Sequence, residues 1–418
     1  MNQSESKTRR YAAAGVCGLV LLLFISWFVL REEPPAPTEQ PPAKVVTVAP
    51  RDHSVAPLFV PEDAAAREAV TNQVAESTVT NAAVIYGQAF ALFNALSKEE
   101  KGLIVDWRTN VDAATEAELC DKLQPITDLM HQAAAVSNCD WGVEQPIVPE
   151  TKLPYLSPCR NLARAGVWSA AHCRKDDPTA AIDDLVAASQ VGRNVLSPPV
   201  LIGHLVNMAI QSTVMDSVAE HASVLLRSGD TRLADLFQGL LLGDNYNEGL
   251  RNAFEQEAEV HAREADRLAA LPPEEAMHEL TQIVDGFNPP IQLPEAAQAL
   301  ADFRQAAELQ GQYAQAVGLP DAEYRAWQSS VEEAGKTNPF IDSLVTGFGR
   351  TVDKTQAMTV KTAMAEAGLA VLQDGPGALQ TNPDPSTGQP FTYTQTADGF
   401  ELQSSFQLSG KPVKLLFK

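Results

Sequence analysis

The chain has 418 residues, five of them cysteine, and its 53 acids against 31 bases leave a formal net charge of −22. That balance opposes binding to nucleic acid or to anionic lipid head groups, and it suits a soluble domain that repels its own copies. The length allows one large domain or two ordinary ones behind a targeting segment.

Residues 1–10 carry Lys7, Arg9 and Arg10 against one acid, Glu5. Tyr11–Leu30 follows as an uninterrupted run of 20 uncharged, mainly apolar residues. At about 1.5 Å per residue, one helix of this length spans a hydrocarbon core of roughly 30 Å. Basic flanks stay cytoplasmic, so the N-terminus is expected inside and the rest of the chain outside. The run exceeds the usual core of a cleaved signal peptide, and no small-x-small cleavage site follows it before Pro34 and Pro35. Cys17 lies within the run after Val16, which does not fit a lipoprotein signal. An uncleaved anchor over 11–30 is therefore expected.

Residues 31–61 hold eight prolines and few large apolar side chains. Proline fixes φ and removes a donor, so this stretch reads as an extended, unpacked tether with a reach on the order of 90 Å.

From 62 to 373 apolar residues recur at three and four, the period of a helix. Helices are expected near 62–96, 98–108, 115–137, 158–174, 178–195, 198–227, 230–242, 247–270, 273–285, 294–317, 321–334 and 339–373. Ser97 with Glu100, and Thr115 with Glu118, fit the capping box. Ser157-Pro158, Asp177-Pro178 and Ser197-Pro198 each offer a cap before a proline in the first turn. Pro125 is expected to kink the third helix. The segment 138–156, with three prolines and Gly142, reads as a loop.

Leu162–Asn194 has the pattern of one tetratricopeptide-like helical hairpin. Ser169, Ala181 and Ala188 fall where two helices approach closely, and Trp168 and Leu185 at large positions. No second copy follows at about 34 residues, so the segment reads either as one such hairpin or as an ordinary antiparallel pair. The helix over 198–227 is apolar on most sides and reads as the centre of the core. A second membrane span is the rival reading, against which stand His204, Asn207, Gln211 and Asp216.

After Gln373 the chain turns rich in Gly and Pro. FTYTQT and FELQSSF then alternate around Asp398-Gly399, which reads as an antiparallel β-hairpin, with KPVKLLFK as a possible third strand. Asp384, Pro385, Gly388, Pro390, Phe391, Tyr393, Gly399 and Phe400 match a pattern at the tail of pilin-like and other bacterial envelope proteins, which this segment resembles. Together with CDWG at Cys139–Gly142, LARAG, the hairpin and PPVLIGHLV, it makes the whole chain resemble a group of membrane-anchored helical envelope proteins of bacteria. That group supplies no activity and no catalytic residues.

Catalytic motifs are incomplete. Gly335-Lys336-Thr337 is half of a phosphate loop, with Ser330 where its first glycine should stand. His278-Glu279 begins a zinc helix, but Gln282 replaces the second ligand. Glu275 and His278 form one i, i+3 pair of the kind used in di-iron bundles, without a second. Glu255, Glu257, Glu259, His261 and Glu264 lie close along one helix, as a solvated acidic face or as metal ligands. No catalytic residue, metal ligand or cofactor is assigned.

Cys120, Cys139, Cys159 and Cys173 lie beyond the anchor, an even number in an exported body, and are disulfide candidates. Cys159 and Cys173 fall on one expected helix, roughly 21 Å apart, too far to bridge. If helices 115–137 and 158–174 run antiparallel, Cys120 meets Cys173 and Cys139 meets Cys159. Free, buried thiols are the alternative.

The fold class expected is mainly α. A cytoplasmic N-terminus (1–10) leads to a single transmembrane anchor (11–30), a Pro-rich linker (31–61), a helical domain (62–373) and a turn-rich segment with a β-hairpin tail (374–418). The expected function is that of a structural or protein-interaction module on the exterior, periplasmic side of the inner membrane. Its partners would be the membrane, through one helix, and other envelope proteins, with no nucleic acid. The alternative is a hydrolase or metal-dependent enzyme whose site gathers dispersed His and carboxylate residues.

Overall fold

The computed structural model describes residues 80–143, 151–230, 243–284 and 292–418. The expected anchor, the tether and the helix at 230–242 lie outside the described residues. Among those that are described, no helix is long and apolar enough to cross a membrane.

Twelve α-helices and a three-stranded sheet make up this part. In chain order they are α1 (Ala82–Asn94), α2 (Lys98–Val105), α3 (Ala113–Ala134), α4 (Leu156–Trp168), α5 (Pro178–Asn194), α6 (Leu201–Glu220) and α7 (Ala222–Arg227). Then come α8 (Gly243–Ala269), α9 (Pro273–Val284), α10 (Ala296–Ala316), α11 (Asp321–Gly335) and α12 (Pro339–Asp374). The strands are β1 (Thr392–Gln395), β2 (Phe400–Leu408) and β3 (Lys411–Phe417), paired antiparallel in the order β1-β2-β3.

Local chemistry sets several helix starts. Ser97 and Glu100 form the expected capping box of α2. Asp177 caps α5 ahead of Pro178, and Asn338 caps α12 ahead of Pro339. Three expected caps are corrected. Asp112, not Thr115, caps α3, because its carboxylate reaches both Ala114 N and Thr115 N. Helix α4 begins at Leu156, so Ser157 lies inside its first turn. Helix α6 begins only at Leu201, because Pro198 sits in a tight turn closed by Val200 N donating to Pro198 O at 2.9 Å.

Helices α3, α4 and α5 form the first bundle with α1 and α6. Gly166 allows a close approach of α4 to α3 and α5, since a Cβ there would lie 3.0 Å from Met130 Cε and 3.2 Å from Ala188 Cβ. Helix α4 ends in a π turn, Ser169–Cys173, where Arg174 N donates to Ser169 O. Cys173 in that turn is bonded to Cys120 of α3, with Cα atoms 5.5 Å apart. Met130 beside Gly166 and Cys120 beside Cys173 show that α3 and α4 run antiparallel. The second expected bridge is not formed: Cys139 and Cys159 are free. The loop bearing Cys139 is pinned to the start of α1 instead, by Ala82 N donating to Asn138 O and Asp140 N to Asn81 Oδ1. Trp141, in the same loop, stacks on Tyr155 at 4.5 Å and donates to Asn194 O.

Two apolar cores share α12. Its C-terminal half, with Met358, Met364 and Val371, packs into the core of the first bundle and the sheet. Its N-terminal half, with Phe340, Val345, Phe348 and Val352, completes a second core with α8 to α11. At 36 residues, α12 is about 54 Å long, enough to line both.

The expected hairpin is a three-stranded sheet. Ser409 and Gly410, both at positive φ, make the two-residue turn that reverses β2 into β3. Asp384 ties the preceding loop to β2. It is buried, and its carboxylate accepts from Ser386 N, Ser386 Oγ, Ser404 Oγ and Ser405 N. Beyond β3, Lys418 N donates to Ala219 O, while Ser223 N and Oγ donate to Lys418 O. The sheet is thus fastened to α6 and α7 at its last strand.

Candidate functional site

The acidic run on α8 divides by helical period. Glu255 and Glu259 are exposed, and Glu264 pairs with Arg267. Glu257 and His261, one turn apart, are buried toward α6 and α10. Glu257 Oε1 accepts from Leu201 N at 3.4 Å, and His261 Nδ1 donates to Gln310 Oε1 at 2.8 Å. Burial raises the Glu257 carboxyl above its ordinary range, against the pull of nearby His261.

His204, in the first turn of α6, is 1% exposed. Its Nε2 lies 3.5 Å from Thr355 Oγ1 on α12, and its Nδ1 has no hydrogen-bond partner among the described residues. Gly249 on α8 leaves room for the ring, since a Cβ there would lie 3.1 Å from Nδ1. Burial pushes the His204 imidazole down to about 4, so the ring is neutral at pH 7. These groups lie where α6, α8, α10 and α12 meet. The described residues hold no group of three or more His, Cys, Asp or Glu placed for a metal ion.

A pH dependence follows from His204. An unfolded histidine takes up its proton near 6.5, and the folded one only near about 4. Stability is therefore fully present above 6.5 and falls as the pH drops toward 4, by about 2 kcal/mol between pH 7 and 5. Glu257 works in the opposite direction, since a raised folded value favours the folded state as the pH falls. Urea midpoints of the wild type and of His204→Gln isolate the histidine, because Glu257 is common to both. The wild type should lose more stability on acidification than the variant; equal losses would rule His204 out as the titrating group.

The other expected residues are not brought together. His278 is exposed and accepts from Gln282 Nε2 at 2.9 Å, which ties up the nitrogen a metal would need. Glu275 is exposed, and Glu279 pairs with Arg267. Gly335 ends α11 against Ile341 of α12, Lys336 pairs with Glu333, and Thr337 Oγ1 donates to Ala334 O. That segment closes a helix and cradles nothing. Burial pushes the Cys139 thiol up to about 11 and the Cys159 thiol well above its ordinary value, so neither is a ready thiolate at neutral pH.

Two groupings escaped the sequence reading. Asp184 on α5 is fully buried and accepts from Ser169 Oγ at 2.7 Å. His131 Nε2 lies 2.8 Å from its other oxygen, and this carboxylate holds the imidazole above its ordinary pKa. Ser, Asp and His are all present, but the serine is bonded to the carboxylate and not to the imidazole, which is not the order in which a triad histidine takes the serine proton. The grouping clamps α3, the π turn and α5 together. The second grouping is cationic. Arg160 and Arg164 are one turn apart on α4, and Arg350 and Lys354 one turn apart on α12. No acid among the described residues forms an ion pair with any of the four. The sequence signal was bases spaced i, i+4 with no acid at helical spacing to match, CRNLAR and RTVDK aside from an Asp353 that is taken elsewhere.

No protein-family model, curated protein or solved structure matches this chain.

Proposed function

We propose that this chain is a membrane-anchored protein of the bacterial envelope whose exterior helical body serves as a structural or protein-interaction module. The observation that carries the reading is the uncharged run Tyr11–Leu30 behind Lys7, Arg9 and Arg10, followed by a Pro-rich tether and a large helical body. The Cys120–Cys173 bond supports an oxidising, exterior location for that body. The alternative, a hydrolase or metal-dependent enzyme, required His261 or His278 to converge with several carboxylates. The described residues bring His261 beside Glu257 and leave His278 exposed, which favours the interaction module.

The topology is testable in cells. A reporter active only outside the cytoplasm, fused after Lys418, is expected to be active. Protease added to spheroplasts is expected to digest the chain beyond Arg31 and to spare the anchor. A body that stays protected while the membrane is intact would overturn the orientation. Crosslinking in intact cells, followed by identification of the captured chains, tests the interaction role. Metal in the purified protein together with no captured partner would reverse the preference.

A further inference from the structure

The half-buried bases of this acidic protein generally find acids or carbonyls. On α12, Lys361 pairs with Asp216 at 2.8 Å and donates to Ser212 Oγ at 2.7 Å. Asp353, the residue before Lys354, is taken by Arg325 at 2.7 Å. Two turns before Lys361 on the same face, Lys354 has no such partner among the described residues. Neither have Arg160 and Arg164, which are half-buried, nor Arg350, which is exposed at the rim.

The packing brings the segments that carry the two pairs to the same end of α6. Tyr155, at the start of α4, donates from its hydroxyl to Ser197 O, just ahead of α6. Thr355, next to Lys354, touches His204 and Met208 in the first half of α6. The early turns of α4 and the middle of α12 therefore flank the same end of α6. The like charges feel one another there: Lys354 is pushed down to about 8 by burial and then by Arg160 and Arg350, and Arg164 is pushed down to about 10 by burial and then by Arg160. Holding four bases together, three of them half-buried and none matched by an acid, opposes folding. A ligand of opposite charge reverses that sign.

We propose that Arg160, Arg164, Arg350 and Lys354 form a binding site for a phosphoryl group carrying at least two negative charges. One carboxylate would leave most of this charge unmatched. A phosphomonoester or pyrophosphate group carries two or more charges and oxygens on several sides, and guanidinium forks bind such oxygens in pairs. The strongly acidic remainder of the chain disfavours a long polyanion such as nucleic acid, so the ligand is a compact group. It comes either on a free phosphorylated molecule or on a phosphorylated lipid head group.

The test uses the full chain in detergent, titrated with inorganic pyrophosphate, with phosphate, and with chloride at matched ionic strength. Pyrophosphate is expected to bind and to raise the thermal midpoint more than chloride does. Lys354→Met and, separately, Arg350→Gln are expected to weaken pyrophosphate binding at least tenfold, while the ligand-free midpoint stays level or rises as repulsion is relieved. Arg350 is exposed, so its replacement keeps the test open should Lys354→Met fold poorly. Lys122→Met, which removes a base already paired with Glu100 and Glu118, is expected to bind as the wild type does. Competition by nanodiscs containing phosphatidic acid, against phosphatidylcholine alone, then assigns the source to lipid; competition by soluble phosphate esters only assigns it to a free molecule. The proposal is overturned if pyrophosphate acts no differently from chloride, or if the variants bind it as tightly as the wild type.

Discussion

Gly368→Ala is expected to unseat the C-terminal sheet from the helical body and to cost on the order of 3 kcal/mol. An added Cβ would stand 1.9 to 2.4 Å from three ring carbons of Phe417. The ring cannot retreat. It is fully buried, it stacks on Phe400 at 4.9 Å, and its own backbone oxygen already presses on Gly399, where a Cβ would lie 1.9 Å away. Phe417 must therefore leave its site and expose apolar area. Loss of the whole tail, by deleting residues 383–418, should lower the thermal midpoint further, because it uncovers the same face of α12. Phe417→Leu in the Gly368→Ala background should recover part of the loss by making room. A Gly368→Ala protein that melts like the wild type would show that the sheet does not dock on α12 in solution.

Removing the Cys120–Cys173 bridge is the second large effect expected. The bond closes a loop with a sequence separation of 53 residues. In the loop-entropy model that constraint on the unfolded chain is worth about 4 kcal/mol. The native site does not depend on the bond alone. Glu116 pairs with Lys175 at 2.8 Å and lies 3.0 Å from His172 Nδ1, and His172 stacks on Trp168 at 4.3 Å. The double variant Cys120→Ser, Cys173→Ser should thus fold to the same structure with a lower urea midpoint. Non-reducing peptide mass spectrometry should recover Cys120 joined to Cys173, with the buried Cys159 alkylated only after unfolding. Four thiols that all react in the native protein would remove the bridge and the stabilisation argued from it.

Much of the architecture was legible because it is written locally. Helix period, the Ser97–Glu100 box and the Asp177-Pro178 start depend on residues within a turn of one another, and they placed most helices within a few positions. The bridge from Cys120 to Cys173 needed one further step, an antiparallel pair, which the sequence offered only as a condition and the packing of α3 against α4 supplied. One cap failed where two candidates stand three residues apart: Asp112 starts α3 one turn earlier than Thr115 would, because its carboxylate reaches the amides of Ala114 and Thr115. The turn at Pro198 delayed α6 in a way no local signal announced.

By itself, then, the sequence determined helix content, the terminal sheet and an acidic chain with an expected membrane anchor, since each depends on composition, period or neighbouring residues. Tertiary structure alone decided which polar groups go inside. Glu257 and His261 turn inward while Glu255 and Glu259 face water, a choice set by which side of α8 meets α6 and α10. The loop bearing Cys139 is held at the start of α1 by hydrogen bonds between Asp140 and Asn81, far back in the chain, and Cys139 and Cys159 stay unbonded. Lys354 and Arg350 on α12 come to the same end of α6 as Arg160 on α4 because α12 returns past α6 to line both cores. That juxtaposition spans nearly 200 residues, and the side-chain pattern of one helix carries no record of the helix it will meet.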